Sequence, residues 1–162
     1  MADNVLERLV AEWYEYSGYF IRRNVKLAKI EKGAHGELDV VGFHARRNHV
    51  IHVEASVTRI NVETYKRKFE LGRKYIATVF DGLSIPDDIE QIALVTEIAD
   101  TKLILPFGKV FWVPEFYGAI FQELKRLPIR NNSVPEEYPI LRSLQYVACP
   151  EFRGSMCRVL CE

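Results

Sequence analysis

Residues 37–57 read ELDVVGFHARRNHVIHVEASV, and the alternation in this stretch decides the fold. Leu38, Val40 and Gly42 alternate with Glu37, Asp39, Val41 and Phe43. After the polar turn Ala45-Arg46-Arg47-Asn48, residues Ile51, Val53, Ala55 and Val57 alternate with Val50, His52, Glu54 and Ser56. Two period-2 runs about a polar turn read as a β-hairpin. One of its faces, Leu38, Val40, Ile51, Val53, Ala55 and Val57, is wholly apolar, and the other is mixed. A two-residue loop at Arg46-Arg47 and a four-residue loop from Ala45 to Asn48 set the same register, in which opposed residue numbers sum to 93. Asp39 then faces Glu54 on the mixed side with β-carbons about 4.5–5.5 Å apart, where like charges destabilise a sheet. A divalent cation between the two carboxylates removes that repulsion, and hard oxygen ligands favour Mg²⁺ or Mn²⁺. A pair sharing one proton, or two solvated acids, is the alternative; an odd-length loop or a bulge would part them altogether.

Working outward, Asn4 to Ser17 reads as a helix with Leu6, Leu9, Val10, Trp13 and Ser17 on one face, ended by Gly18. Tyr19 to Leu27 reads as a strand and Lys29 to Gly36 as a loop. Val62 to Phe80 is a second amphipathic helix with Tyr65, Phe69, Gly72, Ile76 and Val79 on its core stripe. Strands follow at Gln91 to Ile98 and Val110 to Val113, then a helix from Pro114 to about Lys125 and a short one near Ile140 to Leu144. The order α-β-β-β-α-β-β-α, an antiparallel meander followed by helix-linked strands, implies an α/β fold with a mixed central sheet flanked by helices. The domain expectation is a core over residues 1–126 with a C-terminal extension, 127–162, packed on it.

The 162 residues are 48% hydrophobic and 27% charged, which excludes a disordered chain. Lys+Arg and Asp+Glu both number 22, which argues against a wholesale nucleic-acid coat but leaves room for a local basic patch. No run approaches the ~18 apolar residues of a membrane helix, and Asp3 and Glu7 stand where a signal peptide would be basic. A cytoplasmic chain with no membrane partner and no nucleotide cofactor is the expectation. Cys149, Cys157 and Cys161 fall within the last fourteen residues, an odd count that suits no closed disulfide framework and lacks the paired spacing of a structural zinc site.

Glu7 ahead of Gly18-Tyr19-Phe20-Ile21, then Gly36-Glu37-Leu38-Asp39-Val40-Val41, then His52-Val53-Glu54-Ala55-Ser56 resembles the PD-(D/E)XK nuclease superfamily, the restriction-endonuclease-like fold, with the nearest look to archaeal Holliday-junction resolvases and Mrr-like enzymes. The resemblance covers the first half of the chain. It implies an αβββαβ core and a divalent-metal-dependent DNA endonuclease, a phosphodiester hydrolase working as a homodimer. Asp39 and Glu54 would be metal ligands and catalytic residues, and Glu7, from the first-helix motif, an additional catalytic acid. The lysine of the E-x-K pattern is replaced by Ser56, which cannot supply a positive charge. Some relatives take that lysine from the following helix, so Lys68, ahead of Lys66, is the residue expected to orient the attacking water or offset the developing charge. The alternative is a catalytically inactive member of the fold acting as a nucleic-acid-binding or assembly module.

Two further readings remain open from the residues. Glu7 also fits a capping-box-like start, three residues after Asn4. His52 shares the face of Glu54 and suits either a structural place or contact with phosphate. From Arg59 to Tyr75, six basic residues, Arg59, Lys66, Arg67, Lys68, Arg73 and Lys74, outnumber Glu63 and Glu70. Lys66, Arg67, Arg73 and Lys74 are the candidate DNA contacts, with salt-dependent and largely sequence-independent binding. Arg22, Arg23, Lys26, Lys29 and Lys32 add to that charge.

Overall fold

In the computed structural model the hairpin closes in the register that parity requires. Strands β2 (Glu37–His44) and β3 (His49–Ala55) pair antiparallel, from Val40 opposite Val53 to His44 opposite His49. The turn is a single 3₁₀ turn over Ala45–Arg47, and Asn48 leaves it in the left-handed region at φ +44°, a conformation Asn tolerates better than most residues. The structure describes residues 4–30, 32–33, 35–56, 61–97, 105 and 108–150. The expectations for Val57, Arg59, Ile98, Cys157 and Cys161 fall outside them.

β1 (Phe20–Lys26) joins the other edge of β2 antiparallel. β4 (Ile89–Val95) and β5 (Lys109–Trp112) continue the sheet beyond β3 in parallel, giving the order β1-β2-β3-β4-β5. The parallel step from β3 to β4 needs a crossover, which α2 (Val62–Val79) supplies. With α1 (Val5–Tyr16) at the start, the chain runs αβββαβ before β5, a mixed five-stranded sheet flanked by helices.

α1 begins where the Asn4 side chain accepts the Leu6 N–H and stops at Gly18, whose φ of +92° a side chain would resist. It packs on β1 to β3, and α2 packs on β2 to β4. Under the C-terminal half of α2 lies an apolar cluster of Val41, Phe43, Val50, Tyr75, Ile76, Phe80 and Ile89. The opposite-facing Val40, Ile51 and Val53 are equally buried, so both faces of the central strands are covered. Tyr75 joins the buried stripe of α2, while Val79 is only half-buried.

The chain divides into two compact units, Met1–Val113 and Pro114–Glu162, a division earlier in the chain than residue 126. In the second, α3 (Val113–Leu124) is followed by α4 (Pro139–Ala148) with proline in its first turn. α4 runs beyond the expected Ile140 to Leu144 and presents the buried Gln145, whose amide donates to the Leu127 and Asn132 carbonyls and accepts the Val134 N–H. Cys149 is buried. Among the described residues no helix is long and apolar enough to cross a membrane.

Candidate active site

The β2–β3 ladder ends at Val40–Val53, and the next rung is built from side chains. Asp39 donates its backbone N–H to Glu54 Oε1 at 3.4 Å, and Asp39 Oδ2 accepts the Ala55 N–H at 2.9 Å. Each carboxylate thus takes up an N–H beyond the last ladder rung, which fixes both side chains relative to the strands. Glu54 is wholly buried. The second oxygens of the two acids converge: Lys68 Nζ lies 2.8 Å from Asp39 Oδ1 and also bonds Glu54 Oε2. Lys68 stands almost two turns inside α2, on the side that lays Tyr65 and Phe69 against the sheet. The Lys68 side chain is 20% exposed and that of Asp39 13%, so the pocket opens to solvent on their side, away from Glu54.

Behind Glu54 the polar network continues inward. His52 Nε2 is 2.7 Å from Glu54 Oε1, and His52 Nδ1 is 2.9 Å from Gln91 Nε2. Gln91 stands opposite His52 in the parallel register, donates also to the Phe69 carbonyl at 2.8 Å, and accepts from Arg73 Nε at 3.0 Å. A β-carbon on Gly72 would lie 2.4 Å from His52 Nδ1. Glycine here is a requirement of close approach, since any other residue would push the imidazole out of its seat.

The start of α1 reaches the same end of the sheet. Asn4 Nδ2 donates to Glu7 Oε1 at 2.7 Å and to the Ala55 carbonyl at 3.1 Å. The two readings of Glu7, cap partner and acid at the sheet end, therefore hold together. Asn24, in β1 at φ +52°, has its amide nitrogen between Glu7 Oε2 at 3.1 Å and Glu37 Oε1 at 3.3 Å once that amide is turned to donate. As at Asn48, asparagine is the non-glycine type that adopts this left-handed backbone most readily.

Burial pushes the Asp39 carboxyl up to about 7, with Glu54 adding to the rise and Lys68 opposing it. Burial acts upward on Glu54 too, but the hydrogen bond from His52 and the charge of Lys68 carry it below the usual carboxylate range. Burial would lower Lys68; Glu54 and Asp39 reverse that and hold it above the ordinary lysine value. Glu7 is raised, by burial first, against the hydrogen bond from Asn4. The resulting state is an ionised Glu54, a charged Lys68 and an Asp39 that titrates near neutrality.

The oxygens a cation could take from Lys68 are Asp39 Oδ1 and Glu54 Oε2, since the other oxygen of each acid is held by backbone N–H groups or by His52. They fit Mg²⁺, which commonly takes one or two carboxylates and fills its octahedron with water and substrate phosphate. Among the described residues no group of three or more His, Cys, Asp or Glu side chains is arranged to hold a metal, and the Lys68 ammonium stands between the two carboxylates.

The candidate DNA contacts differ in their surroundings. Lys66 pairs with Glu63 at 2.9 Å, Arg67 is exposed, and Lys74 lies 4.8 Å over the Tyr75 ring. Arg73 is exposed but also anchors Gln91. Gln91, Asn4 and Asn24 are site residues that the sequence reading passed over. Gln91 carried a usable signal, since in Ile89–Val95 two polar residues, Glu90 and Gln91, are adjacent, and alternation sends one of them inward.

Compared with known proteins, the chain matches no family model, no curated protein and no solved structure.

Proposed function

We propose that the protein is a divalent-metal-dependent DNA endonuclease whose active site is Asp39, Glu54 and Lys68. The observation that carries this reading is the convergence of one oxygen from each acid on the ammonium of a helix-borne lysine, in a pocket open on one side. Mg²⁺ or Mn²⁺ held by Asp39 Oδ1 and Glu54 Oε2 would supply Lewis-acid activation of water and stabilise charge at phosphorus. Glu54 is kept ionised and oriented for that role by His52. Lys68, displaced from between the acids but tethered by α2, orients the attacking water or offsets negative charge on the scissile phosphate. It supplies the charge that Ser56 lacks. Glu7 and Asn24 border the same pocket and hold its outer wall. Lys66, Arg67, Arg73 and Lys74 lead the DNA backbone toward it, and a homodimer would place one such site on each strand.

The test is cleavage of supercoiled, linear and branched DNA by the full chain with Mg²⁺, Mn²⁺ or EDTA. Metal-dependent nicking that disappears in both Asp39→Ala and Glu54→Ala supports the assignment. Cleavage that survives in both variants removes it. Salt-sensitive DNA binding with no cleavage under any metal points instead to the non-catalytic module.

A further inference from the structure

The hydrogen-bond chain behind Glu54 has only one consistent assignment of protons. Arg73 Nε can only donate, so the Gln91 oxygen must face it. The Phe69 carbonyl can only accept, so the Gln91 nitrogen must face that side. The second amide hydrogen of Gln91 then points to His52 Nδ1, which must accept it. The ring proton is consequently on Nε2, where it is donated to Glu54 Oε1. His52 and Glu54 are fully buried and Gln91 is 2% exposed, so water cannot substitute for any of these partners. No buried side-chain nitrogen or oxygen among the described residues is left unsatisfied. Phe69 meets the imidazole edge-on at 5.5 Å between centroids, and Gly72 leaves the gap the ring occupies.

We propose that His52 and Gln91 are a positioning pair that locks Glu54 in one orientation, with Oε1 held from behind and Oε2 presented to the cation. This rests on the metal-site reading above and deepens it. Neither residue touches substrate. Their effect runs through the direction of one carboxylate oxygen, and partners of this kind commonly tune metal affinity about ten- to a hundredfold. Arg73 then has two duties, since a residue of the basic helix also fixes the amide that fixes the histidine.

Two measurements on the full chain test the pair. Long-range ¹H–¹⁵N spectra of the metal-free protein report the His52 tautomer directly. The Nε2–H form is expected in the wild type, where Nδ1 accepts from Gln91 and Nε2 donates to the Glu54 carboxylate. A wild-type proton on Nδ1 overturns the lock. Mn²⁺ binding followed by electron paramagnetic resonance without DNA is expected to weaken about ten- to a hundredfold in His52→Leu and Gln91→Leu. His52→Gln, whose amide can still donate to Glu54, is expected to recover most of that affinity. Folded His52→Leu and Gln91→Leu proteins that bind Mn²⁺ as the wild type does overturn the proposal. Should the wild type bind no Mn²⁺, the metal-site reading fails, and the tautomer spectra alone decide whether the pair locks Glu54.

Discussion

The two halves of α2 cover the same face of the sheet and do different things with it. The C-terminal half lays Tyr75, Ile76 and Phe80 on Val41, Phe43, Val50 and Ile89, a dry apolar contact. The N-terminal half lays Tyr65 and Phe69 in a second apolar cluster with Ala93 and Val95, and beside it Lys68, with Gly72 near mid-helix, meets Asp39, Glu54, His52 and Gln91, where the contacts are charged or polar hydrogen bonds. Burying a side chain such as Ile is worth about 1.5–3 kcal/mol. Burying ion pairs commonly returns little or nothing after desolvation. The apolar contacts at both ends of the helix therefore hold it down, and the polar contacts spend that stability on placing an ammonium between two acids.

The contrast can be broken from either side. The largest effect is expected at the acids, where Asp39→Ala or Glu54→Ala should abolish metal-dependent nicking in a plasmid assay while DNA binding by gel shift persists. Lys68→Ala should lower turnover by about 10²–10³-fold, the usual scale for one lost charge-stabilising donor, with DNA affinity little changed. Full activity in that variant would move the role to another cation. On the apolar side, Ile76→Ala should cost about 2–5 kcal/mol in urea unfolding yet leave turnover per folded molecule intact. Equal losses in stability and turnover would show that the two kinds of contact are not separable. Gly72→Ala straddles them. Its methyl group meets His52, and overpacking of about 1–3 kcal/mol should come with weaker Mn²⁺ binding.

The smallest effect concerns pH. The Asp39 carboxyl, raised to about 7, keeps its proton in the folded state well above the unfolded value. Between about pH 4 and 7 the native protein then holds more protons than the unfolded one, so this residue's contribution to stability falls as pH rises through that window. Carbon-13 titration of the metal-free protein should find the Asp39 midpoint near neutrality. A midpoint in the ordinary aspartate range would mean that Lys68 dominates over burial.

What could be read from the sequence follows the same divide. The Asp39–Glu54 meeting was legible because side-chain alternation is a backbone property, and a turn of even length leaves parity no freedom. Lys68 could be singled out through its phase beside Tyr65 and Phe69. Gln91 could not be joined to His52, because their meeting depends on the parallel register of β3 and β4, set by packing along a crossover helix and not by a local turn. Asn24 was hidden for a different reason: its amide partners, Glu7 and Glu37, come from α1 and β2 and are distant from it in sequence. Arg73 stood out as one of the basic residues of the helix, with no hint that its Nε reaches back to Gln91.

The central claim is that a dication takes the place of the Lys68 ammonium between Asp39 and Glu54. A crystal soaked in Mn²⁺ and measured for anomalous scattering tests it most directly. An anomalous peak is expected within coordination distance of Asp39 Oδ1 and Glu54 Oε2, with Lys68 Nζ moved off at least one of them. No peak at that position under saturating Mn²⁺, with Lys68 still bridging both carboxylates, would contradict it.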